Sequence, residues 1–250
     1  MEIKCPQCGA AIKMGQDEIF ASCGFCEASI YVNKAVIYFH YWIKPTFEME
    51  DAHLNLRRWM AGDQTIDGLQ KNAVTKDESF TYFPVWRFVV KIAGEEQIFV
   101  EPAIPTSITE FRNLDLPAGL LSFAKPGKKE DEKLPDVEID VNSAREWLRE
   151  REIDPRLVSS ISLVHIPVYR FTYEYENCLY TAVVEAATGN VIANVYPNRR
   201  DTPFIIVTLL SAFLFFCVGM SCPNFSIRFL AMLIAAVPAG FAAFYVQKKY

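Results

Sequence analysis

Tyr82-Phe83-Pro84-Val85-Trp86-Arg87-Phe88 can be laid over His165-Ile166-Pro167-Val168-Tyr169-Arg170-Phe171, and this match decides how the middle of the chain is read. Both heptapeptides are runs of aromatic and β-branched residues opened by proline, the composition of a strand. A helix is predicted ahead of each. Asp51 to Ala61 sets Ala52, Leu56, Trp59 and Met60 on one helical stripe with Arg57 and Arg58 outside it, and Asn142 to Glu152 sets Ala144, Trp147, Leu148 and Arg151 at comparable spacing. The repeated unit is therefore a helix, an apolar strand and further antiparallel strands. Its first copy covers 35–124, with a hairpin of Phe83 to Ile92 and Gln97 to Glu101 across Gly94. Its second copy covers 137–198, with a meander of Leu163 to Tyr175, Leu179 to Ala186 and Val191 to Tyr196. Residues 125–136, with proline, glycine and mixed charge, read as a solvated linker. Trp59, Trp86, Trp147, Phe171, Tyr173 and Tyr175 are expected in the core.

Upstream of the repeat, Cys5-Pro6-Gln7-Cys8-Gly9 and Cys23-Gly24-Phe25-Cys26 give four thiolates in two tight turns, the spacing that closes a tetrahedron around zinc. Short β segments flank them at Ala10 to Lys13, Ile19 to Ala21 and Ser29 to Val32. Residues 1–34 are thus expected to form a zinc ribbon whose folding free energy comes mostly from structural Zn2+ on Cys5, Cys8, Cys23 and Cys26. A thioredoxin-like dithiol is disfavoured, because that site needs one Cys-x-x-Cys at the start of a helix in an α/β domain. Gly9 and Gly24 are expected to supply the turn dihedrals, and Glu27 stands where glycine commonly follows the last cysteine.

Downstream, 26 uncharged residues lie between Asp201 and Arg228 and 19 between Arg228 and Lys248. Such runs predict two membrane-spanning helices within 203–247 joined by a turn at Ser221 to Phe225. Arg199, Arg200, Lys248 and Lys249 would keep both termini in the cytoplasm, making a two-pass protein of the inner membrane with the lipid bilayer as one partner. The expected fold class is α+β: an N-terminal zinc ribbon, a duplicated helix-plus-antiparallel-sheet domain and a C-terminal two-helix transmembrane hairpin.

Across the 250 residues the formal net charge is −5, which argues against a general nucleic-acid binder, and no nucleic-acid partner is expected. No Ser-His-Asp grouping, phosphate loop or His-Glu-x-x-His helix can be assembled from local spacing, so no catalytic residue and no bound organic cofactor are assigned. His40, His53 and His165 are isolated in sequence, and His165, in an apolar strand, reads as a core or rim residue. Arg87 and Arg170 occupy equivalent repeat positions and are the candidate interaction surface.

The combination of Cys5-Pro6-x-Cys8-Gly9, Cys23-x-x-Cys26, Arg57-Arg58-Trp59-Met60-Ala61-Gly62, Phe83-Pro84-Val85-Trp86-x-Phe88 and a late apolar pair resembles a poorly characterised family of prokaryotic zinc-ribbon membrane proteins. Its members are often labelled automatically as TFIIB-type zinc ribbon or primosomal protein N prime-like. Some belong to phage-shock-protein A-type membrane-stress systems, so the resemblance implies a phage-shock-protein A-like cytoplasmic partner. A helicase role does not transfer, since no Gly-x-x-x-x-Gly-Lys-Ser/Thr loop is present. The expectation is a non-enzymatic, membrane-anchored adaptor or scaffold, able to form oligomers. The rival is a zinc-thiolate redox or stress sensor, and a third reading is an enzyme whose cleft gathers His165, Arg170 and carboxylates.

Overall fold

A computed structural model describes residues 2–15, 18–33, 36–124, 134–199, 202–221 and 225–249; the side chains of 202–204, 221, 225–228, 243 and 246–249 are not described. Residues 125–133 of the expected linker lie outside the described residues. The chain forms two compact units, Met1–Trp59 with Ala73–Tyr196, and Met60–Asn72 with Pro197–Tyr250. The first unit takes in the ribbon and most of both copies, while 60–72 and 197–198 fall in the second.

In the first unit the elements run β1 (Glu2–Lys4), β2 (Ala11–Lys13), β3 (Phe20–Ser22), β4 (Ser29–Asn33), β5 (Val36–Ile43), α1 (Met49–Met60), then, past α2 (Leu69–Asn72), β6 (Val74–Ile92) and β7 (Glu95–Pro102). Short 3-10 turns and β8 (Leu121–Ser122) lead to α3 (Val141–Glu150), β9 (Val158–Tyr175), β10 (Cys178–Glu185) and β11 (Val191–Ile192). β1 and β2 make a small hairpin, and the other strands form one nine-stranded sheet.

The two heptapeptides pair with each other. Long antiparallel strands β6 and β9 set Tyr82 opposite Pro167, Phe83 opposite Ile166 and Pro84 opposite His165. Phe83 thus faces its own repeat equivalent, and a pseudo-twofold axis passes through that pair. The offset that aligns the motifs also carries the Val85–Pro102 pair onto Val168–Glu185, and the turn Ala93-Gly94 onto Glu176-Asn177. All four turn residues have positive φ, from 49 to 90°, the geometry whose twist matches a two-residue hairpin. Alternation along the strands then separates two faces.

On one face, α3 buries Val141, Ala144 and Leu148 against Trp86, Phe88 and Val90 of β6. α1 brings the His53 ring to 4.8 Å from Phe171, the repeat equivalent of Phe88. α3 thus packs on β6 and α1 reaches β9, and the clusters on both faces mix residues of the two copies. Asp140 caps α3 by accepting from the Asn142 N–H at 3.1 Å, and it also receives Asn33 Nδ2 from β4 at 3.0 Å. On the opposite face Phe83, Val85, Val164, Ile166, Val168 and Val183 are covered by the segment around Phe111 and Leu116, with the Phe83 and Phe111 rings stacked at 4.1 Å.

The sheet is mixed, a correction to the antiparallel expectation. β6 runs along one edge of β9, while β10 and β5 share the other, β5 in parallel from Phe39–Ser162 to Trp42–His165. β5 then pairs with β4 and β4 with β3, so the second half of the ribbon is the end of the large sheet.

The second unit contains α2, an isolated bridge between Thr65 and Asn198, an ion pair of Arg199 with Asp67 at 3.0 Å, and helices α4 (Thr202–Ser221) and α5 (Phe225–Lys249). α4 and α5 pack together where Gly219 approaches Met232, whose Cε would lie 3.3 Å from an added Cβ. Among the described residues no helix is long and apolar enough to cross a membrane, which overturns the transmembrane hairpin and with it the two-pass inner-membrane location. Leu209, Phe213, Phe216 and Phe241 on these helices are exposed.

Candidate metal centre and buried polar groups

The two Cys-x-x-Cys turns are built alike. In the first, Cys5 N–H donates to Ala10 O at 2.8 Å and Gly9 N–H to Cys5 O at 2.9 Å; in the second, Cys23 N–H donates to Ala28 O and Glu27 N–H to Cys23 O, both at 2.9 Å. Gly9 has φ 77° and Glu27 has φ 59°. The residue after each final cysteine supplies the left-handed conformation, so Glu27, not Gly24, is the partner of Gly9, at a cost of about 1 kcal/mol relative to glycine.

This pairing brings Cys5, Cys8, Cys23 and Cys26 together, with all four sulfurs within 4.8 Å of one another, and the set can hold a metal ion. Cys5 Sγ lies 3.6 Å from Cys26 Sγ and Cys8 Sγ 3.6 Å from Cys23 Sγ, far beyond the disulfide length of about 2.05 Å. Cys5 and Cys23 are buried and Cys8 is exposed. The backbone amides of Cys26 and Phe25 pull the Cys23 thiol down to about 6. Cys26, although the Ala28 amide acts to lower it, is pushed up to about 12 by desolvation and the thiols of Cys8, Cys5 and Cys23. Four sulfurs this close ionise together only when a cation offsets their repulsion.

No protein-family model, curated protein or solved structure matches this chain. Function therefore rests on the chemistry of the groups themselves.

The paired arginines are not equivalent in the fold. Arg87 is buried, its Nε donating to Leu116 O at 2.9 Å, because the segment after β7 folds over it; it offers no surface, a correction to its place in the interaction patch. Arg170 is more than half exposed, with Asp77 at 3.8 Å. His165 and Arg170 project from opposite faces of β9, so a cleft joining them does not form.

Two buried polar groups escaped the sequence reading. Ser29 Oγ lies 3.0 Å from His40 Nδ1, and His40 Nε2 lies 2.8 Å from His165 Nδ1, joining β4, β5 and β9 in one hydrogen-bonded chain. Both histidines are almost wholly buried, with the Phe20 ring 4.7 Å from His40 and Trp42 stacked on His165 at 4.7 Å. Both rings are closed off from solvent, and their hydrogen bonds tie the three strands together. Elsewhere Glu101, fully buried on β7, forms an ion pair with Arg112 at 2.7 Å and accepts from Arg151 at 3.4 Å, which ties β7 to the end of α3. Burial pushes its carboxyl up, while the two arginines act in the opposite sense.

Burial, assisted by the neighbouring His165, drives His40 down to about 2, so the folded chain keeps it neutral. The unfolded chain protonates it near 6.5. A lowered histidine contributes stability that is complete above about 6.5 and is lost as pH falls toward the folded value. Urea unfolding from pH 6 to 5 should show the native chain losing stability faster than His40→Gln, the difference approaching about 1.4 kcal/mol per pH unit. Identical pH slopes would remove His40 from the buried chain.

Proposed function

We propose that this chain is a non-enzymatic adaptor whose structural zinc ribbon stiffens one end of a duplicated sheet that presents binding surfaces to a protein partner. One observation supports the reading above all: four cysteine sulfurs gather at spacings that suit zinc. With Zn–S near 2.3 Å, the edge of a tetrahedron is about 3.8 Å, close to the 3.6 Å between Cys5 and Cys26 and between Cys8 and Cys23. Four thiolates fill a tetrahedral zinc, leaving no position for a water or a substrate, and this favours a structural ion over a catalytic one. Continuity of the ribbon with β5 gives that ion a mechanical role, since order at the metal extends along β3 and β4 into the sheet.

Native mass spectrometry of the purified chain should find one zinc per molecule, retained under mild peroxide. The exposure of Cys8 favours the redox alternative as the second reading. In that case peroxide takes two electrons from two zinc thiolates, which join as a disulfide while the peroxide becomes water and zinc leaves. Reversible zinc release on that treatment would replace the structural reading with the sensor, and a folded chain without zinc would overturn both.

A further inference from the structure

The pseudo-twofold axis relates the position of Arg87 to that of Arg170, yet the space beside them is treated differently. Around Arg87 the site is filled by the chain itself. Arg87 Nε donates to Leu116 O, and the Leu116 side chain is fully buried in the cluster that holds Val85, Val100 and Val164, with Leu114 packed at its margin. Burial lowers the Arg87 guanidinium, while Tyr41, Glu96 and Asp115, the residue between the two leucines, act to hold its charge. An extended Leu-Asp-Leu segment thus supplies an aliphatic side chain, a carbonyl acceptor and a carboxylate to one arginine.

At the equivalent place on the second copy lies a cavity of about 500 Å³, within the range of binding pockets. Its floor includes Val168 and Val183, the repeat equivalents of Val85 and Val100, and Phe83 and Phe111 stand against it. Thr81 and Thr181 line it where the filled site has Val164 and Ile98, so hydroxyls are available to peptide groups at its mouth. Arg170 sits at the edge, its guanidinium more than half exposed and only loosely paired with Asp77. A cation beside an apolar floor is complementary to an anion carried on an aliphatic segment.

We propose that this cavity binds an extended acidic and apolar peptide segment, of which Leu114-Asp115-Leu116 is the chain's own copy at the related site. A leucine-type side chain enters over Val168 and Val183, the adjoining backbone carbonyl accepts from Arg170, and the neighbouring carboxylate offsets the arginine charge. This inference rests on the adaptor reading and names the chemistry of the partner.

The test is an amide-resolved NMR titration of the full zinc-loaded chain with the acetylated, amidated peptide Asn-Leu-Asp-Leu-Pro, the sequence of residues 113–117. Saturable shifts are expected at Thr81, Arg170 and Thr181, with affinity at least tenfold weaker in Arg170→Ala and lost in Thr181→Trp, which fills the cavity from its rim. A peptide with both leucines replaced by serine should not bind. Shifts centred on Arg87 and Leu116, unchanged affinity in Arg170→Ala, or no shift at all would overturn the proposal. Zinc content of the same sample separates the two readings: a chain with full zinc that ignores the peptide sinks this inference alone, whereas a folded chain without zinc sinks the adaptor.

Discussion

Replacing Cys5 and Cys8 together with serine will remove bound zinc and loosen far more of the chain than the first ribbon turn. The small hairpin of β1 and β2 has little apolar area of its own, so on the zinc reading proposed above the metal, worth about 10–16 kcal/mol in small zinc modules, would carry its folding. Ile12 and Met14 of that half pack with Cys23, Ala28, Ile30 and Val32 of the other, and β4 is hydrogen-bonded to β5. Loss of the ion therefore frees Phe20 and Tyr31, which lie on His40 and Trp86 at 4.7 and 5.8 Å. Uncovering two large aromatic residues costs about 1.5–3 kcal/mol each, so the sheet itself should lose about 3–6 kcal/mol. Hydrogen exchange should show protection lost through β3 and β4 and weakened in β5, with the far hairpin of β9 and β10 still protected. Undiminished zinc in the double variant would refute the ligand set. Zinc lost with β3 and β4 fully protected would refute the coupling of metal to sheet.

The cysteine cluster was legible because each knuckle is a local object: four residues fix the turn, and two turns bring four sulfurs together. The repeat was legible as composition, since Pro-Val-Trp-Arg-Phe and Pro-Val-Tyr-Arg-Phe share a pattern. Register is not a local property, so nothing in either heptapeptide announces that Phe83 pairs with Ile166 or that α3 packs on β6 while α1 reaches β9. β5 was missed entirely. Its run Val-Ile-Tyr-Phe-His-Tyr-Trp-Ile is apolar on both faces because it is an inner strand of the sheet, and without alternation it gives no periodic signal. The Ser29-His40-His165 chain joins residues separated by 11 and 125 positions, and only the parallel pairing of β5 with β9 brings them together. Arg87 was misplaced for the same reason: strand pattern gives a face, but the covering segment comes from beyond β7. The C-terminal runs were read from hydropathy alone, and among the described residues no helix is long and apolar enough to cross a membrane.

Trp86→Ala should be the most damaging single change in the sheet, because Trp86 is where three elements meet. It is fully buried, its ring lies 5.8 Å from Tyr31 of β4 and 5.4 Å from Tyr38 of β5, and its indole N–H donates to Ile139 O at 2.8 Å just ahead of α3. Truncation opens a cavity costing about 3–5 kcal/mol, and the Ile139 carbonyl left without its donor adds about 1–3 kcal/mol. Against a total stability of about 5–15 kcal/mol for a typical domain, that sum places the variant near the unfolding threshold at ambient temperature. Trp86→Phe separates the two contributions, since it retains most of the aromatic packing against Tyr31 and Tyr38 while deleting the N–H. Urea unfolding should therefore place the phenylalanine variant between the native chain and the alanine variant, with loss of exchange protection concentrated in α3. If the two variants unfold at the same urea concentration, the hydrogen bond to Ile139 outweighs the packing, and Trp86 is a tether for α3 and not the junction between ribbon, sheet and helix.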